Sequence, residues 1–376
     1  MPWKEVSMNS QRLEFVSLAG AGDINLSELC RRFEVSRQTA YKWLARFKAG
    51  GSEALVNQSR RPRDCPHRTA DQIESLVLQM RQTHPTWGGR KIRARLATLG
   101  YTMLPAPSTI SDILRRHGLI DGTESRKRKP FVRFQRQYPN ELWQMDFKGD
   151  FATAAGRCHP LTVLDDHSRF NLVLAACGNQ RTETVQAHLT AAFRRYGMPF
   201  MMLSDNGSPF GGISDHGLTR LAVWLIRLGI GVIHGRPYHP QTQGKEERFH
   251  RTLKADVITG QAFMDCGHVQ NRFDPFRQTY NFERPHEALG MKTPSEQWEP
   301  SERSFPEFIR PAEYDEADQV RKVQDKGIIS FMGKPWKVAD CLKGEAVALR
   351  PSDINGVYDV RFYTQAIAQI DLRGDN

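Results

Sequence analysis

Tyr238-His-Pro-Gln-Thr-Gln-Gly244-Lys-Glu-Glu247-Arg-Phe-His-Arg251-Thr-Leu-Lys254 places a carboxylate just after a Pro/Gly loop, on a strongly basic segment of helical character. Upstream, Asp205-Asn-Gly207 follows an apolar run, and Trp143-Gln-Met-Asp146-Phe147 supplies a third acid at a strand-like position. Acids among lysines and arginines suit a site that holds a divalent cation against a phosphodiester. The trio Asp146, Asp205 and Glu247 is therefore the main clue to function.

The size and charge of the chain indicate several domains with a polyanionic partner. The 376 residues are 39% apolar and include 7 Trp and 20 Phe, which is enough for several cores. Residues 1–138 carry 25 Lys and Arg against 12 Asp and Glu, whereas the remaining residues carry 28 against 30. We therefore expect residues 1–138 to bind a polyanion and the remaining residues to carry the catalytic site, although a solvated basic surface is the alternative.

The six cysteines are scattered, without a C-x-x-C pair, and no signal peptide precedes them. We therefore expect a reduced, cytoplasmic protein. No apolar run approaches the roughly 20 residues that span a bilayer, so no membrane partner is expected. Cys65, His67 and His84 lack the paired spacing of zinc ligands, which argues against a zinc site.

The first block, residues 1–55, is predicted to be a helix-turn-helix DNA-binding domain. Asn25-Leu-Ser-Glu28 has the spacing of a capping box and opens a short helix through Phe33, and Ser36 can cap a second helix from Arg37 to Phe47. Polar residues near the start of a recognition helix contact base edges in the major groove. The candidates for such contacts are Arg37, Gln38, Tyr41 and Lys42. A helical hairpin that does not touch DNA remains the alternative.

A second helical unit follows between two basic linkers. Residues 56–68 form the first linker, in which Arg60 and Arg61 contact phosphates or a minor groove unless the segment is a plain spacer. Residues 69–120 resemble a second helix-turn-helix, with helices predicted over 71–83, 90–99 and 109–117. The second linker, 121–136, contains the run Arg126-Lys-Arg-Lys129.

The third block, 137–300, alternates strand and helix patterns in the order βββαβαβα. That order predicts a mixed sheet flanked by helices, in which groups at strand ends and on a neighbouring helix meet in one crevice. Asp165 is the nearest rival acid, but its turn context favours closing a hairpin. The last block, 310–376, shows short strands separated by Gly-rich turns, which predicts a small β-barrel or a curled sheet.

The chain resembles the DDE transposase and retroviral-integrase superfamily, specifically bacterial insertion-sequence transposases with an integrase-like core. The resemblance covers nearly the whole chain, because the motifs occur in family order behind the helix-turn-helix units. They are Trp143-Gln-x-Asp146, Asp165-Asp-His-Ser-Arg169, Ser204-Asp205-Asn-Gly207, Pro240-x-x-x-Gly244-Lys-x-Glu247-Arg-x-x-Arg251-x-Leu-Lys254 and Tyr280-Asn-x-x-Arg284-Pro-His286.

The resemblance implies an RNase H-like catalytic core in which Asp146, Asp205 and Glu247 match the catalytic, metal-binding acids. Glu247, rather than Glu246, stands three residues after the glycine and just before the arginine. Asp205 and Glu247 are 42 positions apart, which is longer than the commonest family spacing. Residues 210–217 look like a loop insertion, which costs little entropy.

The resemblance also implies Mg²⁺ as cofactor, with Mn²⁺ as a substitute, and the terminal inverted repeats and target DNA as double-stranded partners. A homodimer or higher oligomer is expected on DNA, in the bacterial nucleoid. Lys245, Arg251 and Lys254 are expected to contact DNA, although Glu247 and Arg251 have the spacing of an intrahelical ion pair. His239 and His286 are weaker candidates. The rival functions are a DNA-binding regulator with a non-catalytic core and a simple nuclease.

Overall fold

The computed structural model describes residues 8–22, 25–57, 69–120, 135–211, 218–234 and 244–373. The chain divides into two compact units, Met1–Arg68 and Thr69–Asn376. Arg60, Arg61, His239 and the linker run Arg126–Lys129 lie outside the described residues, as does most of the predicted loop insertion.

The first unit contains α1 (Met8–Ala21), α2 (Leu26–Arg32) and α3 (Arg37–Gly50). The predicted caps are present, because the Asn25 side chain accepts a hydrogen bond from Ser27 N and the Ser36 side chain accepts one from Thr39 N. The helix-turn-helix prediction is confirmed, whereas α1 was not predicted. A small core is formed by the buried residues Phe15, Leu29, Cys30 and Ala40.

The second helix-turn-helix consists of α4 (Asp71–Thr83), α5 (Gly89–Thr98) and α6 (Pro107–Arg116). The predicted helices are confirmed, although α6 begins earlier than expected because Pro107 occupies its first turn. Helices α5 and α6 approach closely at Gly89, where an added Cβ would lie 2.3 Å from the Pro107 carbonyl oxygen. The buried core of this unit comprises Val77, Trp87, Ile92, Leu96, Ile110, Ile113 and Leu114.

The core region, residues 137–300, is built on a mixed six-stranded sheet, as predicted. Its strands are β1 (Leu142–Phe147), β2 (Phe151–Thr153), β3 (Gly156–Asp165), β4 (Asn171–Cys177), β5 (Met201–Ser204) and β6 (Gly231–His234). The order is β2-β3-β1-β5-β6, with β4 also paired to β3. Strands β1, β3 and β4 pair antiparallel, whereas β1, β5 and β6 pair parallel.

Helices cover both faces of this sheet. They are α7 (Thr182–Tyr196), α8 (Arg220–Arg227), α9 (Gly244–Leu253), which continues into a π-helical turn (Lys254–Ile258), and α10 (Cys266–Phe282). One core cluster joins Trp143 and Met145 of β1 to α7 and α8, and a second joins β3 and β4 to α9 and α10. Since side chains alternate along a strand, Gln144 and Asp146 point to the α9 side.

Helix α10, which was not predicted, explains the Tyr280-Asn281 motif. Asn281 accepts a hydrogen bond from Asn171 N and donates one to Asn171 O, at 2.8 and 3.0 Å. Arg277 Nε also donates to Asn171 O, at 3.0 Å. These bonds fasten α10 to the start of β4, so Asn281 has a structural role.

The C-terminal region forms β7 (Gln319–Lys322), β8 (Ile328–Phe331), β9 (Lys334–Lys337), β10 (Ala346–Pro351), β11 (Val357–Phe362) and β12 (Gln365–Asp371). The predicted small β-barrel is not confirmed. Among the described residues, the antiparallel sheet β12-β11-β10-β7 does not close on itself, and β8 and β9 form a separate hairpin.

The C-terminal region packs against the core region at the β6 edge. The Gln365 side chain accepts a hydrogen bond from Val232 N at 3.0 Å and donates one to Val232 O at 3.1 Å. One end of β12 thus covers the edge of the core sheet. None of the described helices is long and apolar enough to cross a membrane.

Candidate active site

Asp146 lies near the end of β1, on the face of the sheet that α9 covers. In the antiparallel register Asp146 is opposite Thr162 of β3, and Thr162 Oγ1 donates a hydrogen bond to the Asp146 carbonyl oxygen at 3.0 Å. The side chain of Asp146 is 20% exposed. The carboxylate is thus held by a rigid central strand and keeps an opening to solvent.

Asp205 and Glu247 come from two other elements. Asp205 directly follows β5, which runs parallel to β1 with Gln144 opposite Leu203, so its backbone comes beside the end of β1. Asp205 Oδ1 accepts a hydrogen bond from Gly207 N at 3.1 Å, which fixes the turn. Glu247 is exposed in the first turn of α9.

The negative charges of Asp205 and Glu247 both act on Asp146. Burial and then the charge of Asp205 raise the pKa of Asp146 to about 7, with a smaller contribution from Glu247 and against a hydrogen bond from the Phe147 backbone. The structure therefore brings together the three acids that the sequence singled out. Oxygen-only ligands with unrelieved repulsion fit a hard divalent cation. Among the described residues, however, no three such side chains are already arranged as a metal-binding group.

A buried polar cluster beneath Asp146 was missed at the sequence level. Glu246 is 1% exposed, and its Oε2 lies 3.0 Å from Thr162 Oγ1. His250 Nε2 is 2.8 Å from the same hydroxyl, and His250 Nδ1 is 3.8 Å from Asp146 Oδ2. The sequence did contain a signal for this cluster, because Glu246 and His250 are four residues apart and therefore share the inward face of α9.

Burial disfavours the charged forms of Glu246 and His250. It raises the pKa of Glu246 well above its usual value, with the Asp146 charge as the second cause. It also lowers the pKa of His250 to about 4, helped by the nearby positive charge of Lys148. Glu246 and the neutral imidazole of His250 both contact Thr162, whose hydroxyl donates to the Asp146 backbone.

Lys245 differs from its expected role as a DNA contact. Its ammonium group donates to the Asp166 carbonyl oxygen at 3.1 Å and forms an ion pair with the Asp166 carboxylate. Its side chain is only 14% exposed, and burial lowers its pKa to about 8. Lys245 therefore fastens the start of α9, and with it Glu247, to the turn between β3 and β4.

Asp165 closes that turn, as expected. Its carboxylate accepts hydrogen bonds from Asn140 N at 2.7 Å, Ser168 N at 2.7 Å and Ser168 Oγ at 2.6 Å. Arg169 also has structural partners, because its guanidinium donates to the His167 carbonyl oxygen at 3.2 Å. Both residues of this motif therefore hold the hairpin together.

The predicted DNA-contacting residues lie on two exposed faces. On α3 the four candidates Arg37, Gln38, Tyr41 and Lys42 are all exposed, with Ala40 buried beneath them. On α9 and the following turn, Arg251 and Lys254 are exposed on the Glu247 side. Lys148 lies close to this second face, because the positive charge of Lys254 acts on it. Burial is the larger cause that lowers the pKa of Lys148, and repulsion from Lys254 is the second.

His286 is unsuited to bind a phosphate. Its ring packs edge-on against Tyr280, with centroids 4.8 Å apart. Burial, followed by repulsion from Arg284 and Lys91, lowers its pKa to about 3. A neutral, enclosed imidazole would offer a phosphate no charge.

Family models match most segments of the chain. Two models described as integrase core domains match residues 136–240 and 228–294. A helix-turn-helix domain matches 11–63 and a homeodomain-like domain matches 39–114. The C-terminal domain of the IS481 family of transposases matches 318–376, which covers the C-terminal sheet.

Individual proteins show the same similarity. An uncharacterized 39.2 kDa protein of insertion element IS476 from Xanthomonas euvesicatoria is 23% identical over 71% of this chain and 76% of its own length. An uncharacterized 31.7 kDa protein of IS407 from Burkholderia multivorans is 27% identical over 42% of this chain and 55% of its own length. The catalytic core domain of BIV integrase is 26% identical over 42% of this chain and 92% of that chain, with a TM-score of 0.32.

The two integrase-core matches contain all three acids, and they lie between helix-turn-helix matches and an insertion-sequence transposase domain. This arrangement is that of a DNA-binding polynucleotidyl transferase. The chain therefore belongs to the DDE transposase and retroviral-integrase superfamily.

Proposed function

We propose that this protein is a transposase that binds the terminal inverted repeats of an insertion sequence in bacterial chromosomal DNA, cleaves the ends and joins them to target DNA. Asp146, Asp205 and Glu247 are the catalytic acids in this proposal. The observation that carries it is the convergence of three elements on Asp146. The charges of Asp205, which follows β5, and of Glu247, in the first turn of α9, both add to burial in raising the pKa of Asp146. Such a cluster is unfavourable in the folded protein unless it serves a cation.

The side chains around the acids have positioning roles. Thr162 holds the backbone of Asp146, and His250 lies beside its carboxylate. The Gly207 amide orients the carboxylate of Asp205, and the ion pair of Lys245 holds the helix of Glu247. The three carboxylates would hold Mg²⁺, or Mn²⁺ in its place. When bound, two such ions activate the attacking oxygen and stabilise the leaving oxygen of a phosphodiester.

The reaction has two in-line displacements. Water first attacks the phosphorus at each transposon end, the bond from phosphorus to the 3′ oxygen breaks, and a 3′-hydroxyl is released. That hydroxyl then attacks a phosphorus of the target strand and displaces the target's own 3′ oxygen. The number of phosphodiester bonds is unchanged by the joining step, so joining needs neither a covalent protein–DNA intermediate nor an external energy source.

Neutral substitutions of the acids test this proposal. We expect Asp146→Asn, Asp205→Asn and Glu247→Gln each to abolish end cleavage and joining in Mg²⁺ while end binding persists. Glu302→Gln is the control, because Glu302 is an exposed acid outside the cluster. Near-wild-type joining by any one of the three variants would remove that residue from the catalytic set.

The wild-type protein must itself act on the ends. Ca²⁺ should permit assembly without turnover, since its higher and looser coordination fits this chemistry poorly. Binding of the inverted repeat without cleavage in Mg²⁺ or Mn²⁺ would favour the rival function, a DNA-binding regulator. Cleavage without joining would favour a nuclease.

Two ends must be brought together before joining, so we expect at least a homodimer on DNA. Light scattering of the protein bound to end duplexes measures the number of subunits in the paired complex. A complex that holds two ends on one subunit would refute this expectation.

A further inference from the structure

The helix α5 of the second helix-turn-helix turns part of its basic surface toward the core region. Arg95 pairs with Glu283 at 2.9 Å, and Arg90 lies 3.7 Å from Glu287. Both acids lie at or just beyond the end of α10. These two ion pairs therefore connect α5 to the core region. They also fix the position of the other side chains on this face of α5.

Lys91, between those two arginines, is half-buried on the same helix. In the part of the chain that the structure describes, no hydrogen bond or ion pair involves its ammonium group. Burial lowers its pKa to about 8, and repulsion by Arg284 and Arg248 contributes more than attraction by Glu287 and Asp256. A half-buried cation next to two further cations is costly unless an anion joins them.

The other two cations are well placed to receive an anion. Arg284 is 8% exposed and donates one hydrogen bond to Asp256 at 3.0 Å, and its remaining N–H groups find no acceptor among the described residues. Arg248 is exposed and directly follows Glu247 in the sequence. Its guanidinium likewise lacks a partner within the described ranges.

We propose that Lys91, Arg248 and Arg284 together bind one backbone phosphate of the transposon end. Guanidinium groups match the oxygens of a phosphate in a fork geometry, and a lysine adds a compact charge. Asp256 already pairs with Arg284, and Glu287 lies beside Arg90, so the cluster keeps an excess of positive charge.

The position of this phosphate site indicates its role, and this role rests on the proposed function. Lys91 belongs to the second helix-turn-helix, whereas Arg248 neighbours the catalytic Glu247. A phosphate bound by both would fix the distance along the DNA between the sequence that is recognised and the bond that is cut. Sequence reasoning missed the site because its members are far apart along the chain.

The salt dependence of DNA binding by the full-length protein tests the site. Each phosphate contact that is lost should reduce the slope of log K against log salt by about 0.9. We expect Lys91→Gln to show that reduction on an end duplex and on a random duplex of equal length, with an unchanged or higher Tm. Lys91→Arg should keep the wild-type slope. Arg272→Gln, which removes an exposed positive charge from α10, is the matched control and should also keep it.

A scan of end duplexes with single neutral methylphosphonates locates the contact. We expect one position, or two adjacent positions, to weaken wild-type binding but not binding by Lys91→Gln. An equal slope for both proteins, the same methylphosphonate profile, or sensitivity confined to target DNA would overturn the proposal. A lower Tm with an unchanged slope would show that Lys91 serves only as a structural partner of Glu287.

These experiments distinguish a failure of the phosphate site from a failure of the proposed function. If the wild-type protein neither preferred its ends nor cleaved them, the transposase function would fail. A smaller slope for Lys91→Gln on random DNA would still establish the phosphate site.

Discussion

Replacing Asp146 with asparagine should stabilise the metal-free protein at alkaline pH, although under the proposed function it should abolish activity. In the folded protein the pKa of Asp146 is raised from 3.8 to about 7, by burial and then by the charges of Asp205 and Glu247. One pKa unit corresponds to about 1.4 kcal/mol, so ionising Asp146 costs the fold about 4 kcal/mol. Partial exposure of the side chain lowers the expected gain to about 2–4 kcal/mol.

The sign of the effect follows from proton binding. Below pH 3.8 the carboxyl is protonated in both the folded and the unfolded chain, so wild type and Asp146→Asn should be equally stable. Between that pH and about 7 the unfolded chain loses its proton first, and wild-type stability falls as pH rises. Above pH 7 the difference is constant, because the carboxyl is ionised in both states.

Denaturant unfolding in EDTA at several pH values between 4 and 8 measures this difference. Excess Mg²⁺ should stabilise wild type more than Asp146→Asn, because only wild type has the full ligand set. As the control, Asp166→Asn should destabilise by about 3–5 kcal/mol, since it removes the buried carboxylate with which Lys245 forms an ion pair. The explanation would be refuted if Asp146→Asn in EDTA at pH 8 were no more stable than wild type.

Three further perturbations probe the DNA-binding surfaces and the helical units. Arg251→Ala combined with Lys254→Ala should reduce the salt slope of end binding by about 2, with little change in Tm, because both side chains are exposed; a large fall in Tm with an unchanged slope would instead indicate an intrahelical ion pair. Gly89→Ala should destabilise the second helix-turn-helix, since its Cβ would lie 2.3 Å from a backbone carbonyl oxygen; an unchanged thermal melt would contradict this close packing. Arg37→Ala and Gln38→Ala should reduce the preference for end DNA over random DNA, measured by competition, because base contacts specify; equal losses on both DNAs would remove the recognition role of α3.

Local signals were sufficient for many of the elements. The caps at Asn25 and Ser36 fixed the starts of α2 and α3, and the strand pattern of residues 142–147 placed Asp146 on β1. Helix α10 was missed, since a proline inside it at Pro275 interrupts its pattern. The small C-terminal β-barrel expected from strand spacing is not confirmed, because spacing does not reveal which strand edges pair.

The sequence by itself determined the order of the elements, the resemblance and the three candidate acids, because these depend on residue types and on spacing along the chain. Only the tertiary structure determined which side chains surround these acids and which partners those side chains have. It buried Glu246 and His250 beneath Asp146, paired Lys245 with Asp166, and brought Lys91 beside Arg284. Burial and pairing depend on which elements pack together, and residues far apart along the chain acquire their charge state and partners only when the fold encloses them.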